Sequence, residues 1–94
     1  MRVVGREVLL EFMTKHADVR SRLQSWLTET EAATWRTPQD VLARYPRTSF
    51  LGDGVAVFEI KGNDCRLAVR IGFNRHVINV LKIGTHAEYD TWTL

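Results

Sequence analysis

The chain has one cysteine, two prolines and no long apolar run, and each shortage excludes something. Cys65 alone can form no internal disulfide, and no Cys/His set stands at zinc-ligand spacing. No apolar stretch approaches the roughly 20 residues that a membrane span requires. The first fifteen residues carry charge throughout and lack a small-residue cleavage site, which argues against a secretory leader. A surplus of one charge is also missing: thirteen Lys+Arg against eleven Asp+Glu leave a net +2. That balance permits a nucleic-acid partner without calling for one. What is present is 94 residues of ordinary globular composition, 45% hydrophobic and 26% charged. This suits one domain over residues 1–94 in a reducing, cytoplasmic compartment.

Hydrophobic spacing divides the chain into a helical first half and a strand-rich second half. Residues 1–4 read as a short strand that Gly5 breaks. From Arg6, the positions Val8, Leu9, Phe12 and Met13 recur at helical spacing, with His16 continuing the stripe as a partly buried structural residue. Asp18 is a candidate cap for a second helix whose inner face is Val19, Leu23, Trp26 and Leu27. Thr37-Pro38-Gln39-Asp40 has a capping threonine, proline at the first helical position and an acid at the third. That third helix ends at Tyr45-Pro46.

The second half reads as an antiparallel meander. Strands are expected at 49–51, 55–61, 65–74 and 77–83, with turns at Gly52-Asp53-Gly54, Gly62-Asn63 and Arg75-His76. Alternation is cleanest in the third of these, where Cys65, Leu67, Val69, Ile71 and Phe73 share one face. Three helices followed by a meander predict an α+β domain, its helices packed on one face of a small, mainly antiparallel sheet. If Gly62-Asn63 is the loop, Ile60 faces Cys65 and Glu59 faces Arg66. Glu59, Lys61, Arg66 and Arg70 then leave the core face together. Turning Ile78 and Val80 inward sets Asn79 and Leu81 beside the arginines, with Lys82 at the strand's end. One sheet face would carry several cations, with His86 and Tyr89 arriving at its edge.

Two segments carry a family resemblance. Lys61-Gly62-Asn63 followed by Cys65-Arg66-Leu67, and then Ile83-Gly84-Thr85-His86-Ala87-Glu88-Tyr89-Asp90, resemble the HigB family of bacterial toxins, part of the RelE-like group. The likeness extends to Trp35, the Pro38 helix and Phe50. It departs where family members often carry a basic and an aromatic residue, since Asp64 and Cys65 stand there. The resemblance implies an mRNA interferase that cuts messenger RNA, typically in the ribosomal A site. It also implies silencing by a cognate HigA-like helix-turn-helix antitoxin.

The residues suit that chemistry on their own terms. RNA is cleaved without metal or other cofactor when its 2′-hydroxyl attacks the adjacent phosphate. The protein must then move two protons and steady the charge gathering on phosphorus. A histidine suits proton transfer near neutral pH, and a guanidinium fork matches phosphate oxygens. Arg66 is therefore assigned to the phosphate, His86 to acid or base work, and Tyr89 to orientation, base stacking or proton relay. Lys61, Arg70 and Lys82 are candidate RNA-backbone contacts, and Asp90 either orients His86 or caps the chain's end. Each has a plainer alternative: Arg66 can be a cross-strand ion pair with Glu59, Arg70 a solvated cation, His86 a turn residue and Tyr89 a packing ring. His76 is expected at a hairpin tip, and Cys65 as a core thiol rather than a nucleophile. Two other function classes fit the same fold group, a DNA gyrase poison and an inactive antitoxin-binding protein. A supercoiling assay and an RNA cleavage assay, respectively, separate them from a nuclease.

Overall fold

The computed structural model describes residues 1–61 and 64–94; the expected loop pair Gly62-Asn63 lies outside the described residues. Strand β1 (Arg2–Val4) leads into helix α1 (Arg6–Lys15), a single 3-10 turn (Ala17–Val19), α2 (Arg20–Ala32) and α3 (Pro38–Arg44). Strands β2 (Ser49–Gly52), β3 (Val55–Ile60), β4 (Cys65–Gly72) and β5 (Val77–Thr85) follow, and a one-turn helix α4 (His86–Tyr89) comes after them. The strands form one sheet in the order β1-β5-β4-β3-β2. Among the described residues, only the β1–β5 pair is parallel; the others are antiparallel. The fold is α+β, as expected.

Local chemistry explains most of the helices. Leu9, Phe12 and Met13 form the buried stripe of α1, and Leu23, Trp26, Leu27 and Thr30 that of α2. Gly5 enters α1 at φ 92°, and a Cβ there would stand 3.2 Å from Val80 Cβ. A glycine is needed for both reasons. At α3 the Thr37 hydroxyl accepts from the Asp40 amide (3.3 Å) while Asp40 Oδ2 accepts from the Thr37 amide (3.1 Å), a full capping box. The expected cap at Asp18 does not form. Asp18 lies in the 3-10 turn, α2 begins after Val19 without a side-chain cap, and the Asp18 carboxylate instead receives Lys61 Nζ at 3.1 Å.

These helical stripes pack on Ala56, Phe58, Ile60, Cys65, Leu67, Val69, Ile71 and Ile78 of the sheet. Phe58 is the centre of an aromatic group, with Trp26 at 5.3 Å, Tyr45 at 5.4 Å and Trp35 at 6.4 Å between ring centroids. Glu29 on α2 accepts from Arg44 (2.6 Å) and from the Tyr45 hydroxyl (2.7 Å), tying α3 to α2. Those bonds hold the Glu29 carboxyl below its ordinary range. Burial, then the Glu29 bond, pushes the Tyr45 phenol well up.

The strand ladder differs from the expected one in four ways. β3 stops at Ile60, and Lys61 turns out of it at φ 52° to meet Asp18 instead of continuing the strand. β4 stops at Gly72, and the turn is four residues long, with the Arg75 amide donating to the Gly72 carbonyl at 3.2 Å. β5 runs on to Thr85, so Lys82 lies within the strand rather than at its end. A bulge also interrupts the pairing: Val69 faces Val80, but Ala68 faces Lys82, leaving Leu81 as the extra residue. The far face of the sheet is correspondingly less open than the sequence suggests. Val55, Val57, Arg66 and Ala68 are buried there, and Arg70 and Lys82 are the exposed cations.

The bulge generates a direct test. Deleting Leu81 should leave a regular ladder, with Val80 still opposite Val69, Lys82 opposite Ala68 and Gly84 opposite Arg66, because only the unpaired residue is removed. The expected cost is about 1 kcal/mol. Deleting Ile83 instead must turn Lys82 toward the core or carry Gly84 off the Arg66 row, at a cost on the order of 3 kcal/mol or more, the scale of burying an unpaired charge. Urea denaturation of both variants reads the difference, and equal losses would show that Leu81 is not the extra residue.

Candidate functional site

Arg66 is built into the middle of the sheet. Its neighbours across the ladder are Glu59 on β3 and Gly84 on β5. The residue is 8% exposed, and its Nη2 lies 3.4 Å from Glu59 Oε1 while Nη1 donates to the Cys65 carbonyl at 3.4 Å. Glu59 Oε2 also meets Arg47 Nε at 2.9 Å. One carboxylate thus joins an exposed arginine to a buried one. A guanidinium this far from solvent needs such a partner, since a lone buried charge is strongly destabilising.

Gly84 lets the last turn come down on this face. A Cβ on it would stand 2.9 Å from Trp92 Cζ2 and 3.2 Å from Glu88 Cβ. Thr85 and Glu88 hold α4 with a reciprocal capping box, the Thr85 amide to Glu88 Oε1 at 2.8 Å and the Glu88 amide to Thr85 Oγ1 at 3.2 Å. Tyr89 then lies against Arg66, whose Cζ is 5.6 Å from the ring centroid. Trp92 packs edge-on against Tyr89 at 5.6 Å, and Lys82 Nζ lies 5.8 Å from the Trp92 ring centroid. Arg66, Tyr89 and Lys82 are brought to one face.

His86 opens α4 beyond the end of the ladder. Its amide donates to the Asp64 carbonyl at 3.0 Å, one step past the Cys65–Thr85 pair. The row of residues 64 and 86 is two residues from Arg66, about 7 Å at the ~3.3 Å rise of a strand. His86 is exposed and lines an open cleft of about 490 Å³ together with His16, Asp18, Asp64 and Cys65. Asp90 closes α4, its amide donating to the His86 carbonyl at 3.3 Å, which gives it the capping place.

The remaining candidates sit around this centre. Lys61, at φ 52°, pairs with Asp18 (3.1 Å) and reaches Asp64 (4.0 Å) at the same strand end. The Lys61 hydrogen bond holds the Asp18 carboxyl below its ordinary range. Arg70 is exposed farther along β4, with Nε donating to the Asp53 carbonyl at 3.2 Å. Cys65 is buried, and burial first, then Asp18 and Asp64, pushes its thiol up. It stays a protonated core thiol, as expected. His76 is exposed in the β4–β5 turn. Among the described residues, no group of three or more His, Cys, Asp or Glu is placed to hold a metal ion. Nor is any helix among them long and apolar enough to cross a membrane.

Three participants were not assigned to the site from sequence. His16 is half-buried on α1's stripe, as expected, stacked on Phe12 at 4.1 Å, but it also lines the cleft with His86. Arg47 joins through an ion pair with Glu59 on β3 that no short-range pattern encodes, and Trp92 through its contacts with Tyr89 and Lys82. The α4 turn did have a signal: Thr85-His86-Ala87-Glu88 is a Thr-x-x-Glu capping pattern.

Bonds from the Thr85 amide and hydroxyl hold the Glu88 carboxyl below its ordinary value. A depressed pKa stabilises the fold above the unfolded value and loses that contribution as pH falls through the folded one. Acidification below the ordinary carboxylate range should therefore fray α4 before the sheet opens. Amide exchange at Thr85 and Glu88 measures this, and Glu88→Gln should weaken the acid dependence of those two amides. Unchanged dependence in that variant would detach the turn from the Glu88 charge.

No curated protein matches the chain. Residues 19–92 match the HigB toxin family, described as the RelE-like toxic component of a toxin-antitoxin system. That span holds β2 to β5, α2 to α4, and every candidate residue from Lys61 to Asp90. The chain belongs to the HigB toxin family, and as a toxin of such a system it has an antitoxin for a partner.

Proposed function

We propose that this toxin is a metal-independent endoribonuclease, an mRNA interferase that cuts messenger RNA in the ribosomal A site and so stops translation in the bacterial cytoplasm. The observation that carries the reading is the β4–β5 ladder. It sets His86 two residues beyond the row of Arg66, whose guanidinium already lies against Tyr89. In the reaction the 2′-hydroxyl of one nucleotide attacks the next phosphate, and the bond to the 5′-oxygen breaks. Arg66 meets the charge on the phosphoryl oxygens, and its buried setting strengthens that attraction because little water screens it. Tyr89 lies on the guanidinium, so the phosphate reaches it as that ring turns aside. His86 moves a proton, and Tyr89 orients the substrate or stacks on a base. Lys61, Arg70 and Lys82 contact the RNA backbone. The silencing partner is a HigA-like helix-turn-helix antitoxin.

Charge supports dependence on the ribosome. From residue 48 onward, Lys61, Arg66, Arg70, Arg75 and Lys82 are balanced by Asp53, Glu59, Asp64, Glu88 and Asp90. Arg44 and Arg47 are paired with Glu29 and Glu59 as well. A nuclease that captures free RNA draws most of its non-specific affinity from phosphate neutralisation. This chain has little spare field for that, so the ribosome must hold the message in place.

Three experiments test the reading. Arg66→Ala and His86→Ala should each lose about a hundredfold or more in cleavage, whereas Arg75→Ala and His76→Ala should change little. On a minimal RNA at high enzyme concentration, the wild-type rate should persist in chelator; complete, reversible loss there would mean a metal takes part. In the third experiment, codon-phased cuts, mapped as new mRNA 5′ ends, should appear under translation and be weak or missing on the same naked message. Equal rates on both at physiological salt would refute ribosome dependence.

A further inference from the structure

The cleft at the strand end holds a second histidine that the mechanism above leaves unused. His16 lies between α1 and the 3-10 turn, and His86 opens α4 on the other side. Phe12 fixes the plane of the His16 ring by stacking on it at 4.1 Å and 19°. The cleft is open, about 490 Å³, within the range that takes a small ligand. Its rim is polar: Asp18 from the 3-10 turn, Asp64 and Thr85 line it, and Lys61 reaches both acids. The charged groups around His16 are Asp18, Asp64 and Lys61 at this rim, and Glu88 on α4. His16 is among the groups that hold the Asp18 and Glu88 carboxyls low, after the Lys61 bond in the first and the Thr85 bonds in the second.

We infer that His16 and His86 form the acid–base pair of the cleavage step, with the scissile phosphodiester lying in the cleft between them. The inference rests on the ribonuclease reading and supplies what one histidine cannot: two proton transfers in one step. One neutral imidazole takes the proton of the 2′-hydroxyl as that oxygen bonds to phosphorus. The other, protonated, gives its proton to the 5′-oxygen as the P–O5′ bond breaks. The products are a 2′,3′-cyclic phosphate and a 5′-hydroxyl, and nothing is oxidised or reduced. Lys61, released from Asp18 and Asp64 by the incoming phosphate, faces the same charge in the cleft. Arg66, which leaves β4 on the face away from Cys65 and does not line the cleft, meets the phosphate group from that other face. Such a pair requires one partner neutral and one charged, so the rate should rise and then fall with pH.

The test is single-turnover cutting of ribosome-bound mRNA by wild type, His16→Gln and His86→Gln across pH. Each variant should lose about a hundredfold or more, and each should lose a different limb of the wild-type pH profile. A message with sulfur in place of the scissile 5′-oxygen separates the roles, because a thiolate leaves without a proton. One of the two variants, and not the other, should regain rate on it. His16→Gln cutting at the wild-type rate, or slowed with both limbs intact, overturns the pair while leaving the nuclease standing. A wild type that cuts no ribosome-bound RNA overturns both. If His16→Gln does not fold, wild-type imidazole NMR signals titrated with adenosine 3′-monophosphate decide. His16 and His86 should both shift while His76 stays; an unmoved His16 overturns the inference.

Discussion

One extra residue in β5 sets the geometry on which the site depends. With Leu81 unpaired, the ladder beyond it shifts by one, so that Lys82 faces Ala68 and Gly84 faces Arg66. Side chains alternate along a strand, so if Leu81 were paired opposite Ala68 in a regular ladder, Lys82 would point into the helices and Gly84 would leave the Arg66 row. A residue with a side chain opposite Arg66 would then obstruct Trp92 and Glu88, which pack within contact of Gly84. The bulge lets one strand serve the core with Ile78 and Val80 before it and the site with Lys82 and Gly84 after it. Bulges at this kind of place re-aim side chains at a local cost in pairing.

Arg66 shows how the fold keeps a charge where it is hard to keep one. Burial removes the water that would stabilise a guanidinium, and the loss is several kcal/mol for an unpaired ion. Glu59 on the neighbouring strand offsets it, and the Cys65 carbonyl accepts from the same group. Arg47 balances the second oxygen of Glu59, with its own side chain largely in solvent. The outer pair is worth little by itself, being screened. Its place is to let Glu59 stay ionised and aimed between two cations. This arrangement satisfies the plainer account of Arg66 as a cross-strand ion pair. On the ribonuclease reading the same guanidinium is a preset cation, two residues along the ladder from the row of His86.

What could be read from sequence was local. The Thr37–Asp40 capping box, the alternation of Cys65 to Ile71 and the stripes of α1 and α2 are short-range patterns, and all are present in the structure. The Glu59–Arg66 pairing followed from a loop position and a period of two. The bulge was not legible, because residues 77–83 are mostly apolar and show no alternation for an extra residue to interrupt. Asp18 was misread as a cap because its partner, Lys61, lies 43 residues away. His16 looked like the end of a helical stripe, and it is; no spacing between residues 16 and 86 signals a shared cleft. Candidate residues on one hairpin could be grouped from sequence, and those joined only by packing could not.

The same pairing that shapes the site also spends its charge. Lys61 meets Asp18 and Asp64, Arg66 and Arg47 share Glu59, and Arg44 is held by Glu29. Close pairs of opposite sign cancel beyond roughly the 8–10 Å screening length, so a distant polyanion meets little attraction. At contact distance the situation differs at Arg66, the buried member of these pairs, where a phosphate that displaces Glu59 meets a cation already desolvated and oriented. Read as a ribonuclease site, it is poor at capture and suited to local chemistry. On the ribonuclease reading, substrate must be delivered to it with position already fixed, and specificity then belongs to whatever delivers the message as much as to the toxin itself.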